Sequence, residues 1–170
     1  MMKQGEGGFT LIEMVMVIAI AALIAGAAAM VTFQIVKGTE RSNDHMTAIN
    51  QVQNAGYWIS RDAQMAENVT ADGLIPPNFL ILSWVEEESD DQYQVIYTLE
   101  AMPGSELKKL QRHLSINGES DTTLVARYID PDPGRTKCEL LLDGRLVLTV
   151  TANVSTHSQT RVYEVVPRPN

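Results

Sequence analysis

From Met14 to Phe33 the chain carries no charge, and Thr32 holds the only hydroxyl in those twenty residues. As a helix rising ~1.5 Å per residue, such a run measures ~30 Å, the thickness of a bilayer core. A soluble helix of this length normally shows a polar face, and this one shows none. A secretory leader has a shorter apolar region, about 7 to 15 residues, and ends in a small-x-small cleavage site. A membrane span is therefore the expectation. Lys3 precedes the run, whereas Lys37 and Arg41 follow it, so the charge asymmetry that orients a span is weak and, taken alone, places the residues after the run inside the cell.

Glu13 stands at the head of that run. An acidic residue deep in hydrocarbon costs on the order of 2.5 to 3.5 kcal/mol on insertion scales, so it is a functional candidate that needs a partner. No Lys or Arg lies within the segment to serve. A free α-amine created by cleavage just upstream would serve instead. With a cut after Gly8, Phe9 becomes the N-terminus and Glu13 lies one helical turn on, where it can meet the ammonium of a neighbouring subunit.

The residues Gly8-Phe9-Thr10-Leu11-Ile12-Glu13 resemble the cleavage and methylation motif of type IV prepilins. The resemblance implies a leader, residues 1–8, removed between Gly8 and Phe9 by a prepilin peptidase and methyltransferase. It implies N-methylation of Phe9 and a role for Glu13 in assembly. It also implies a helix that packs with other pilin-like subunits and with inner-membrane lipid. The location implied is the prokaryotic cytoplasmic membrane, crossed once with the head outside the cytoplasm, and then a pilus or pseudopilus. Residues 9–36 form the transmembrane half of the helix on this reading, and residues 37–170 the soluble head. Ala21, Ala25 and Ala29, with Ala22 and Gly26, recur at spacing four and suit a close helix–helix seam. Gly26 is also a place for the helix to loosen.

Past Val36 the helical period continues. Met46, Ile49, Val52, Ala55, Ile59, Ala63 and Ala66 recur at steps of three and four. A helix running to about Asn68, loosened at Lys37-Gly38-Thr39, is expected to bury this stripe on something. Asp72-Gly73 and Pro76-Pro77 stop it. Strands are expected over 79–85, 92–99 and 107–116, and a strand or short helix over 124–129. Residues 140–142 and 146–150 flank Asp143-Gly144, a signal for a type I′ hairpin. A last strand is expected over 160–166. The fold class is α+β: a long N-terminal helix, its first half transmembrane, packed on an antiparallel sheet. This is the pilin-like plan. "YWISRDAQMAENV" and "VYEVVPRP" are similar to segments of J-type minor pseudopilins of type II secretion.

About 134 residues outside the membrane suffice for one modest domain. The formal net charge of −8 argues against nucleic acid as a partner. Cys138 is the single cysteine, which excludes an intrachain disulfide and a multi-cysteine metal site. Major pilins often close a C-terminal loop with a disulfide, and this chain departs from them there. His45, His113 and His157 have no paired spacing and read as surface imidazoles. Glu86 to Asp91, and Asp130-Pro131-Asp132, are acidic but lack the spaced ligands of an EF-hand, so they read as solvated loops. The sequons at Asn68 and Asn153 carry no weight in a prokaryote. Ser105 has no base beside it, and no catalytic or nucleotide-binding motif occurs. We expect no enzyme, no cofactor and no metal. The expected function is a structural subunit of a type IV pilus or type II secretion pseudopilus. The alternative is a single-pass, membrane-anchored binding or sensory module.

Overall fold

The computed structural model describes residues 10–168. It is an α+β chain: one long helix, α1 (Leu11–Met65), followed by a curled antiparallel sheet of eight strands. The strands are β1 (Asn68–Thr70), β2 (Asn78–Glu86), β3 (Asp91–Met102), β4 (Ser105–Ile116), β5 (Glu119–Ile129), β6 (Lys137–Leu140), β7 (Leu146–Val154) and β8 (His157–Val165). Residues 43–170 form one compact unit, and the chain up to Ser42 forms another.

In the compact unit, α1 buries Ala48, Val52, Ala55, Gly56, Ile59, Asp62 and Ala63. The expected stripe is there, with differences. Met46 is 52% exposed, and the helix ends at Met65 rather than near Asn68. Helix α1 also runs without a break through Lys37-Gly38-Thr39 and Gly26. The stripe covers the inward side chains of the sheet, among them Leu80, Leu82, Val95, Tyr97, Leu110 and Ile129. One inward position is charged on each side. Asp62 of α1 is 1% exposed and Arg112 of β4 is 8% exposed. Arg112 Nε donates to Asp62 Oδ2 at 2.6 Å, and Nη2 to Oδ1 at 3.1 Å. Tyr97 Oη donates to the same Oδ2 at 2.6 Å. The Trp58 ring lies 5.2 Å from the Arg112 guanidinium, a further cation–π contact.

The electrostatics follow from that geometry. Burial raises the Tyr97 phenol far above its ordinary value, and the Asp62 carboxylate adds to the effect. Burial by itself would lower Arg112, but its bonds to Asp62 outweigh burial and hold the guanidinium firmly charged.

The sheet has two ribbons. Strands β1 to β5 pair in sequence order, and β6, β7 and β8 pair about β7. The ribbons meet at one register pair, Ile129↔Ala152, beside the bond from Asp130 N–H to Thr151 O at 2.9 Å. Strand β5 reaches β7 because its register against β4 slips twice, between Leu110 and Gln111 and between Lys108 and Leu110. Such bulges bend a strand and strengthen its twist. Tyr128, in the second irregularity, has φ of 60°. Arg127 N–H in this irregular stretch donates to Gln51 Oε1 of α1 at 2.7 Å.

The segments expected at 107–116 and 124–129 are both strands, and each begins a few residues earlier than expected. The hairpin at Asp143-Gly144 is present but is not type I′. Only Gly144 has positive φ, at 83°. Leu141 O accepts from Gly144 N–H at 2.9 Å, and Leu141 N–H donates to Arg145 O at 2.8 Å. This is a type I turn followed by a left-handed glycine, the three-residue form of the hairpin. Strand β1, three residues long, was not expected.

On the other ribbon, Tyr163 of β8 reaches α1. Its hydroxyl donates to Val52 O at 3.1 Å. A Cβ on Gly56 would overlap the Tyr163 ring, so only glycine allows this approach. Gly56→Ala should therefore destabilise the protein, although alanine ordinarily favours a helix over glycine by ~1 kcal/mol. In a Tyr163→Ala background the same substitution should become neutral or stabilising. Denaturant unfolding of the four proteins measures that reversal of sign, and an equal effect in both backgrounds refutes the contact. Asp62→Ala should cost about 3 to 5 kcal/mol, because Arg112 is then buried without its counter-charge. A loss under 1 kcal/mol in the same assay refutes the importance of the pair.

Candidate functional site: the apolar helix and its first turn

Gly8 and Phe9, the expected cleavage and methylation positions, lie outside the described residues. Thr10 is the first residue described, and α1 begins after it. Glu13 N–H donates to Thr10 O at 3.1 Å and meets Thr10 Oγ1 at 3.4 Å. Thr10 thus caps the helix, and Glu13 occupies the third helical position. Thr10-x-x-Glu13 is the spacing of a capping box. A carboxylate in the first turn is also favoured by the helix dipole. The sequence reading gave Glu13 an assembly role and missed this local one, though T-x-x-E ahead of an apolar run was the signal. Among the described residues the Glu13 carboxylate has no ion-pair or hydrogen-bond partner.

From Leu11 to Val36 every residue is exposed within the chain. The apolar part of α1 reaches a mean hydropathy of 2.7 over eighteen residues, none of them buried. Leu11, Leu23, Met30 and Phe33 are 60% exposed or more. That much uncovered apolar surface must be covered by lipid or by other chains. The threonine hydroxyls in and just beyond it are satisfied locally. Thr32 Oγ1 donates to Ala28 O at 2.9 Å and Thr39 Oγ1 to Ile35 O at 2.9 Å, so neither hydroxyl faces hydrocarbon unpaired. The Lys37 ammonium lies 4.6 Å from the Phe33 ring centre, at the end of the run. A Cβ at Gly26 would meet nothing within 4 Å. The alanines 21, 25 and 29 are likewise open, as a seam awaiting another helix would be.

Other expected features fall elsewhere. Ser105 Oγ accepts from Leu107 N–H at 3.1 Å and supports a turn. The histidines are not isolated surface rings. His113 sits between Thr98, 3.0 Å from Nε2, and Thr122, 2.9 Å from Nδ1. His45 and His157 meet edge to face, with ring centres 5.8 Å apart. Asp130 is engaged by Arg135, Asn153 and the Asp132 N–H. Glu87 and Glu67 face Arg168. Among the described residues no cluster of three metal-ligating side chains occurs.

The uncovered surface ends where the compact unit begins. A chain starting at residue 37 should therefore remain in solution without detergent, stay monomeric and unfold cooperatively. Size exclusion with light scattering and a thermal melt check this. A fragment that aggregates or melts without a transition shows that the α1 stripe needs partner subunits.

No curated protein and no solved structure matches the chain. Residues 3–29 do match the model of the prokaryotic N-terminal methylation motif. The match takes in Gly8, Phe9, Glu13 and most of the apolar run, and leaves the sheet untouched. The chain thus carries a prokaryotic N-terminal methylation motif on a helix long and apolar enough to cross a bilayer, and that motif supports a place among type IV pilin-like proteins.

Proposed function

We propose that this protein is a structural subunit, a minor pilin or pseudopilin, that assembles into a type IV pilus or type II secretion pseudopilus. Its leader, residues 1–8, is cut between Gly8 and Phe9 by a prepilin peptidase, and Phe9 is N-methylated. Residues 9–36 then anchor the chain in the cytoplasmic membrane and later pack against the helices of other subunits. Residues 37–170 form the head, outside the cytoplasm. The observation that carries this reading is the methylation motif joined to an apolar helix that none of the described residues covers. The role is geometric and requires no catalytic group.

The finer assignment, to a J-type minor pseudopilin, rests on the resemblance at residues 57–69 and 162–169. These stretches include Asp62 and Tyr163, which tie α1 to the sheet.

Glu13 is the assembly residue in this reading, neutralised by the N-terminal ammonium of a neighbouring subunit. Glu13→Gln keeps the size and the first-turn position and removes the charge. Membrane insertion should survive or improve, since an amide costs less in lipid than a carboxylate. Cleavage after Gly8 should persist. Incorporation should fall at least about tenfold, the loss expected for one charge-assisted contact. Mass spectrometry of the membrane-extracted protein reads processing, and cysteine crosslinking to the other pilin-like subunits reads assembly. An uncut N-terminus favours the membrane-anchored module instead. Normal incorporation of Glu13→Gln refutes the charge pairing.

A further inference from the structure

Two buried side-chain atoms lack a hydrogen-bond partner among the described residues, Asn153 Oδ1 and His157 Nε2. Asn153 is held through its other arm, since Nδ2 donates to Asp130 Oδ2 at 2.8 Å. The His157 ring is held by no hydrogen bond among the described residues. A buried imidazole nitrogen without a protein partner calls for one of another kind, such as an ion.

The His157 ring lies against a second imidazole. His157 opens β8, and His45 stands on α1 near the start of the compact unit at Asn43. Their ring centres are 5.8 Å apart, and their planes meet at 65°. The fold sets this pairing. Strand β8 runs back along α1, so that Tyr163 meets Val52 and His157, at the strand's start, meets His45. Val154 opposes His157 and Asn153 opposes Ser158, so Asn153 is on the other face of the hairpin.

The separation suits two ligands of one ion. With each nitrogen ~2.0 to 2.1 Å from a shared metal, ring centres stand roughly 4.5 Å apart for ligands at right angles and roughly 6.4 Å apart for opposed ones. His113 is the contrast. Thr98 and Thr122 occupy its two ring nitrogens, and it has none to give. Neutral imidazole is a ligand for first-row divalent metals. A net charge of −8 favours a cation here over an anion.

We propose that His45 and His157 bind one divalent transition-metal ion, of the zinc or copper(II) class, which staples the β7–β8 hairpin to α1. Water fills the remaining positions, and the site holds its ion more weakly than a closed set of four protein ligands would. This inference stands apart from how the N-terminal helix is used.

The test uses the full chain, without a histidine tag, in nanodiscs, with Zn2+ and Cu2+ as probes. Calorimetry should find one Zn2+ per chain beyond what the double variant His45→Gln, His157→Gln takes up. Pulsed electron paramagnetic resonance of the Cu2+ form should show two imidazoles on one ion. Zn2+ should slow amide hydrogen exchange at Ser155 and Thr156, in the turn of the hairpin. Each single variant, His45→Gln or His157→Gln, should weaken binding at least about tenfold. If a thermal melt shows His157→Gln unfolded, His45→Gln carries the same test from an exposed helix position. The proposal is overturned by equal uptake in the double variant, by a spectrum with one imidazole or none, or by affinity indifferent to both single changes. Any of these leaves an edge-to-face contact, with Nε2–H of His157 directed at the His45 ring, as the whole of the arrangement.

Discussion

The carboxylate of Asp62 ties the helix to the sheet, and the geometry of the head follows from it. A stripe of Ala48, Val52, Ala55, Ile59 and Ala63 supplies burial, but burial is non-directional and would tolerate a slide or rotation of the helix. The bidentate pairing with Arg112 and the Tyr97 hydroxyl does not tolerate one. A buried ion pair contributes little net stability against an apolar alternative, because desolvation offsets the attraction. What it gives here is a fixed register, since any slip leaves two charges buried apart.

That register matters because the two ribbons of the sheet are joined along little of their length. The two ribbons share one register pair at Ile129 and Ala152. Helix α1 bonds to both. Gln51 takes the Arg127 N–H of β5, Asp62 takes Arg112 of β4 and Tyr97 of β3, and Val52 O takes the Tyr163 hydroxyl of β8. Gly56 is the local condition for the last of these, since any side chain there would displace the Tyr163 ring. The helix is thus the clasp across the seam of a sheet that curls and splits.

Period and punctuation made most of this plan readable in advance: the long helix, most of the strands and the hairpin near Gly144. Short or charged features were not readable that way. The three residues of β1 are too few to show an alternation. The turn at Asp143 was misread because Asp-Gly suits two turn types, and only the backbone distinguishes them. Asp62 was passed over because a stripe is traced through apolar residues. Its signal was an acid at a buried helical step together with Arg112 at an inward step of an alternating strand. Gly56 drew no notice in the sequence, because its meaning depends on a ring more than a hundred residues away. At the N-terminus, Gly8 and Phe9 lie outside the described residues, and the helix start at Thr10 was legible only as the T-x-x-E spacing to Glu13.

The chain therefore holds two acids at costly positions, and they differ in one respect. Asp62 is inside the head, and three donors from two strands meet it. Glu13 heads an apolar run around which several polar groups find local partners: Thr10 caps, Thr32 and Thr39 bond back one turn, and Lys37 leans on Phe33. The backbone accepts Glu13 at the helix start, but no cation in the described chain answers its charge. An acid that costs several kcal/mol in lipid and has no cation partner among the described residues is a candidate for neutralisation by a group from another chain. Asp62 fixes the fold of one subunit by an intramolecular pair. On the proposed reading Glu13 does the equivalent between subunits, holding back its favourable pairing until a neighbour's new N-terminus arrives. On that reading the same chemistry serves folding at one end of a single helix and assembly at the other.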